Sequence, residues 1–111
     1  MEEYVYSFVI ILLVAMVMMI IGVTQIKSKK PVGFYSGEIP PREDELLDIA
    51  MWNKKHGYMW VIYGVTIINS YILSSLIKSE ILAMVVILGG IIGALPFMIL
   101  YHNYLKKKYY K

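Results

Sequence analysis

The chain has 111 residues, 59% of them hydrophobic, with a mean hydropathy of +0.61 and a formal net charge of +3. A globule of this size cannot hide so much apolar surface from water, so an ordinary soluble domain is excluded and a bilayer is the expected solvent. The absence of cysteine excludes disulfides, thiolate metal ligands and thiol nucleophiles, and so small a positive surplus, gathered at helix ends, argues against nucleic acid as a partner.

Residues 4–26 contain no Asp, Glu, Lys or Arg. At ~1.5 Å of rise per residue and about 30 Å of hydrocarbon, roughly 20 such residues cross a bilayer, so a first transmembrane helix is expected over 4–26. Its N-terminal flank, Met1, Glu2 and Glu3, is acidic and its apolar run is long with no small-residue cleavage pattern, which points to a retained span and not to a secretory signal. Thr24 and Gln25, near its end, are expected to be satisfied by backbone carbonyls or headgroups.

A connector follows over 27–56 and divides at Pro40 and Pro41. In its first half Gly33 and Gly37 permit positive φ around Phe34, Tyr35 and Ser36, and the N–H groups of such turns form a concave anion site beside Lys29 and Lys30. A tight turn resting two aromatic rings in the interface explains the same residues without a ligand. The second half carries helix punctuation: Pro41 suits a first turn, Glu43, Asp44 and Glu45 complement the positive N-terminus, and Lys54 and Lys55 the C-terminus. A cytoplasmic amphipathic helix over 41–55 is expected, with Leu46, Leu47, Ile49, Ala50 and Met51 on its apolar side and Trp52 as an interfacial anchor. It either bends or is capped at Gly57, or runs straight into the next helix.

The run Lys30, Pro31, Val32, Gly33, Phe34, Tyr35, Ser36, Gly37, followed by Asp48 and by Trp52, Asn53, Lys54, Lys55, His56, Gly57 at the start of a helix, resembles a group of small bacterial three-helix membrane proteins distantly similar to the SdpI-type immunity and signalling family. The likeness spans roughly residues 20–71, and the Gly-x-Arg-Thr-Pro pattern associated with the SdpI type is absent. It implies an architecture and a bacterial cytoplasmic membrane more than an activity.

Residues 57–77 and 81–101 again lack Asp, Glu, Lys and Arg and are expected as the second and third transmembrane helices, with a basic tail over 102–111. In lipid, small residues that let backbones approach and neutral polar groups mark helix contacts. Gly89 and Gly93 form a G-x-x-x-G pair, Gly90 and Ala94 repeat the spacing, and Pro96 is expected to kink the third helix. Gly64, Asn69, Ser70 and Ser74 are the corresponding packing residues of the second. Packing within one chain, a homodimer or small oligomer interface, and a ligand groove are all compatible with this spacing. Asn69 is the most polar side chain deep in a span, and is expected to bond a neighbouring helix.

With the N-terminus outside and the connector and tail inside, ten of the eleven cationic side chains lie on the cytoplasmic side, leaving Lys78 alone on the other. No ionisable group lies well inside a span, which argues against proton-coupled transport, and Ser70, Ser74 and Ser75 have no base in reach by spacing, so no enzymatic activity is expected. His56 and His102 fall at the same interface and are able to meet. With Asp48 or Glu45 they would make a small metal or pH-sensitive site, while two histidines at separate helix ends more simply make an interfacial hydrogen bond. No cofactor or resident metal is expected.

The sequence is therefore that of an all-α, single-domain integral membrane protein of three spans. Its expected function is non-catalytic, with membrane lipids or a membrane or cytoplasmic protein partner bound at the inner face through Lys29, Lys30, Gly33, Tyr35, Gly37, Arg42, Trp52, Lys54, Lys55 and His56. An immunity or signalling protein that binds a membrane-active peptide is the alternative implied by the resemblance, and an oligomeric small channel or transporter is a third.

Overall fold

Each apolar stretch forms a helix, and all helix boundaries but one fall within a few residues of expectation until the third helix, which outruns it. A computed structural model describes residues 2–34 and 39–111, with side chains from residue 6 onward. It contains α1 (Glu2–Lys27), a 3-10 turn (Glu43–Glu45), α2 (Ile49–Ser75), α3 (Glu80–Ile92) and α4 (Ala94–Tyr109), and no strand among the described residues. Two segments are long and apolar enough to cross a membrane: Tyr6–Lys27, with a mean hydropathy of 2.8, and Glu80–Tyr109, with 2.5.

The connector departs most from the expected pattern. No separate helix occupies 41–55. Asp48 caps α2 through a 3.0 Å bond from the Met51 N–H to its carboxylate, so the helix begins at Ile49 and continues through Gly57 without a bend or cap. Upstream, Pro41 is buried, and Arg42 is held by Glu45, whose carboxylate accepts from both its backbone N–H and its guanidinium. Leu46 is extended and forms an isolated antiparallel bridge with Tyr110: the Leu47 N–H donates to the Tyr109 carbonyl at 2.7 Å and the Lys111 N–H to the Glu45 carbonyl at 2.8 Å. That pairing with a distant segment removes residues 46–48 from the helix, something local punctuation does not disclose.

The third stretch is also longer than expected. Residues 102–109 continue α4 instead of forming a tail. The hinge between α3 and α4 is at Gly93, three residues before Pro96. Proline has no N–H for the carbonyl four residues back, and its ring crowds that carbonyl, so the ladder opens near Ile92.

α2 lies between its neighbours and antiparallel to both. Against α1, Phe8 meets Tyr71 with ring centroids 5.8 Å apart, Gly64 sits on Ala15, and Gly57 sits on Gly22. Ala15 and Gly22, and likewise Gly57 and Gly64, are seven residues apart, the repeat that keeps one seam facing its partner. A Cβ on Gly64 would lie 2.7 Å from the Ala15 carbonyl oxygen, and Cβ atoms on Gly22 or Gly57 would collide with the other glycine's carbonyl. On its other side, α2 meets α3 where Gly90 rests on Ser70 and where Tyr63 Oη donates to the Ile91 carbonyl at 2.7 Å.

The packing residues named from sequence separate accordingly. Gly64, Ser70 and Ser74 are buried, with Ser74 Oγ donating to the Tyr71 carbonyl. Asn69 is exposed on the outer side of α2 and makes no hydrogen bond among the described residues, so it bonds no neighbouring helix. Gly89 faces open space, while a Cβ on Gly93 would meet only its own helix at Gly89; the glycine that admits the second helix is Gly90. Pro96 is exposed and acts through the hinge.

Candidate functional site: a polar clamp at the basic end

Where α1 ends, α2 begins and α4 ends, the helices no longer meet only through apolar surface. On α2, Trp52, Asn53, His56 and Trp60 fall at i, i+1, i+4 and i+8 and therefore share one side of the helix. All four are buried, with Trp52, Asn53 and His56 at 0% exposure. Each carries a polar atom that must find a partner in this setting; for Trp52, Asn53 and Trp60 the partners come from the backbone of the connector, and for His56 from its own helix and from α4.

Asn53 is the principal fastener. Its amide nitrogen donates to the carbonyls of Ser28 (3.1 Å) and Lys30 (2.9 Å), and its carbonyl oxygen accepts from the Val32 N–H at 3.0 Å. Trp52 Nε1 donates to the Val32 carbonyl at 2.8 Å and Trp60 Nε1 to the Phe34 carbonyl at 3.2 Å. From α1, Gln25 Nε2 reaches the Gly33 carbonyl at 3.2 Å, while its buried Oε1 has no partner among the described residues. Residues 28–34 are thus stitched to α2 by three side chains and to α1 by a fourth. At roughly 1 kcal/mol net for each satisfied bond, and more for each group stranded when a partner is lost, the clamp holds this segment in one conformation.

The two histidines meet. His56 Nε2 and His102 Nδ1 are 2.8 Å apart, and His56 Nδ1 lies 2.9 Å from the Trp52 carbonyl. A carbonyl only accepts, so Nδ1 of His56 carries the hydrogen. In the neutral ring its Nε2 is then an acceptor, and His102 must donate from Nδ1. Phe34 packs edge-on to His102 at 4.8 Å, and Trp52 leans on His56 at 4.2 Å. His56 stands one residue before the apolar stretch that starts at Gly57. Burial lowers its pKa to about 4, the bond to the Trp52 carbonyl opposes this, and His102 adds to the lowering. His56 is therefore neutral at neutral pH.

Around the clamp, Leu46, Trp52, Leu105 and Tyr109 form a second apolar core, separate from the one built on Ala15, Tyr63, Ile67 and Met98 between the helices. α4 reaches it by running past the end of the apolar stretch, and Tyr110 stacks obliquely on Trp52 at 5.4 Å.

The residues expected to bind a ligand are placed as follows. Lys29, Lys30 and Lys54 are exposed, and Lys54 lies over the Tyr58 ring at 5.7 Å. Lys55 is half-buried at the mouth of a groove between α2 and α4. Arg42 is engaged by Asp44 at 3.4 Å and Glu45 at 3.1 Å, so its charge is neutralised locally. Trp52 and His56 are interior, and Trp52 is not a surface anchor. Tyr35 and Gly37 lie outside the described residues. Gly33 has no positive φ, and the nearby N–H groups of Lys30 and Val32 donate to Ser28 Oγ and Asn53. Those two N–H groups are turned toward side chains of the protein, and residues 35–37 of the turn expected to form a concave anion site lie outside the described residues. Asp48 and Glu45 are committed to the α2 cap and to Arg42, and the described residues contain no group of three His, Cys, Asp or Glu able to hold a metal. Sequence reasoning missed the role of Asn53; its place one helical turn before Gly57, with Trp52 and His56 on the same side, was the available signal.

No protein-family model, curated protein or solved structure matches the chain. The resemblance to SdpI-type proteins rests on the residues quoted for it.

Proposed function

We propose that the chain is a non-catalytic protein of the bacterial cytoplasmic membrane that crosses three times, with its N-terminus outside, and binds anionic lipid headgroups through a rigid cytoplasmic end. The observation that carries this reading is the clamp. Asn53 and Trp52 hold the backbone of residues 28–34, so Lys29 and Lys30 stand on a fixed surface beside Lys54. Lys106, Lys107 and Lys108, in the last turn of α4, are at the same end.

A third crossing by α2 is supported by its charge-free residues 57–75, ~28 Å of helix, and by its antiparallel packing along α1. The cationic excess at the end shared by the connector and α4 is what a cytoplasmic face carries. Lysines near an anionic leaflet gain about 1 kcal/mol each, and fixing them in advance removes the ordering entropy that a mobile loop would lose on binding. Arg42 is left out of this surface because Asp44 and Glu45 already neutralise it.

The test is charge reversal. Replacing Lys29, Lys30 and Lys54 together by Glu should bring the proportion of phosphatidylglycerol that co-purifies with the protein down to its proportion in the host membrane. An unchanged proportion would remove the proposal, whereas reversing Arg42 alone should have no effect.

A further inference from the structure

Two hydrogen bonds tie α2 to the segment that follows it: Tyr63 Oη to the Ile91 carbonyl, and His56 to His102. Between these ties α2 advances seven residues, ~10 Å, whereas α3 and α4 together advance eleven, ~16 Å. The longer arm has to bow, and the hinge at Gly93 lets it. The result is an open groove of about 480 Å³ between α2 and α4, within the range of about 300–1,000 Å³ typical of small-molecule sites. Buried Met59 and Met98 line it together with Tyr58, Phe97 and Tyr101, and Lys55 stands at the end nearest the clamp.

We infer that this groove holds one acyl chain of an anionic phospholipid from the leaflet at the basic end, with the phosphate beside Lys55. The inference deepens the headgroup-binding reading and rests on its orientation of the chain. The occupant follows from the groove's chemistry. Its walls are aromatic and thioether surface, which adapts to a flexible alkyl chain. Its side is open, so a chain enters laterally from lipid. Lys55, at the clamp end, is a cation on a flexible stem, suited to a phosphate as a point charge, and Tyr58 and Tyr101, which also line the groove, carry phenol donors. A neutral sterol-like or peptide occupant would leave Lys55 half-buried beside apolar surface without a counter-charge.

The test uses the full chain in nanodiscs and in detergent. By native mass spectrometry, the wild type should keep one phosphatidylglycerol after other lipid is stripped and prefer it over phosphatidylcholine at least threefold. Ala94→Phe, which fills the groove, should reduce that retention at least fivefold, and Lys55→Gln should erase the preference while retaining a lipid. Since Ala94→Phe is able to disturb folding, an unmutated measurement stands beside it. Phosphatidylglycerol carrying a nitroxide on its acyl chain should broaden the methyl resonances of the buried Met59 and Met98 more than that of Met16, which is 44% exposed on α1 near the level of Tyr63. Equal or greater broadening of Met16, or full retention by Ala94→Phe, overturns the groove. The Lys29, Lys30 and Lys54 reversal separates the two readings, because it should lower bulk phosphatidylglycerol while leaving the single retained lipid in place.

Discussion

Along their apolar stretches, α1 and α2 touch where side chains are missing: Gly22 against Gly57, and Ala15 against Gly64. At the basic end, contact is made by the polar side chains Asn53, Trp52, His56 and Gln25, each reaching backbone or another ring. On the proposed membrane placement, the solvent accounts for the difference. Lipid is as apolar as any aliphatic side chain, so helices within it gain from shape and close approach. At the interface, backbone leaves the helix and its N–H and C=O groups need partners, so polar side chains with fixed geometry become the adhesive.

The comparison breaks most severely at the seam. Gly57→Leu should force α1 and α2 apart at a cost of about 3 kcal/mol or more, read as a large fall in the thermal midpoint in detergent or as loss of the folded species. Gly89→Leu, an equally large insertion at a glycine that faces open space, should change the midpoint by no more than about 0.5 kcal/mol equivalent. Equal damage from the two would mean that the seam is misassigned.

Asn53→Ala should be smaller and local. It strands the Val32 N–H and frees the carbonyls of Ser28 and Lys30, a loss of about 2 kcal/mol. Hydrogen exchange should accelerate at residues 28–34 while residues 57–75 of α2 keep their protection. Exchange that spreads evenly through α2 would show that the clamp and the seam are one cooperative unit.

The mildest test is acid. His56 has its folded pKa lowered to about 4 from an ordinary 6.5. The unfolded chain thus binds the proton first, and the stability due to a neutral His56 is complete above pH 6.5 and lost as pH falls toward 4. The limiting slope is about 1.4 kcal/mol per pH unit. Midpoints measured at pH 7.5, 5.5 and 4.5 should decline in this window for the wild type and more gently for His56→Gln. Parallel declines would show that the histidine pair does not sense pH.

Much of the helix pattern was legible because it depends only on residue type: runs without charge become apolar helices, and Pro96 implies a break. The site was legible in part. His56 and His102 flank matching ends of the second and third charge-free stretches, and their meeting follows from that placement. Asn53 looked like one more polar residue among lysines, since its three partners lie 21 to 25 residues away in backbone that has no side-chain signature. Gly89 illustrates the converse case, a motif whose spacing is right and whose direction is wrong. A G-x-x-x-G pair identifies a helix stripe, and only the rotation of the helix about its axis decides whether that stripe meets protein or lipid.

Hydrophobicity and charge, summed locally along the chain, determined by themselves that the molecule is helical, apolar over long stretches and basic at one end. The tertiary structure decided where α2 starts, that the last eight residues of α4 remain helical, which glycines admit a neighbouring helix, and which polar groups are consumed inside the clamp. Those outcomes depend on pairings between residues distant in sequence, such as Leu46 with Tyr110 and Gly22 with Gly57, and local composition carries no record of which partner will arrive.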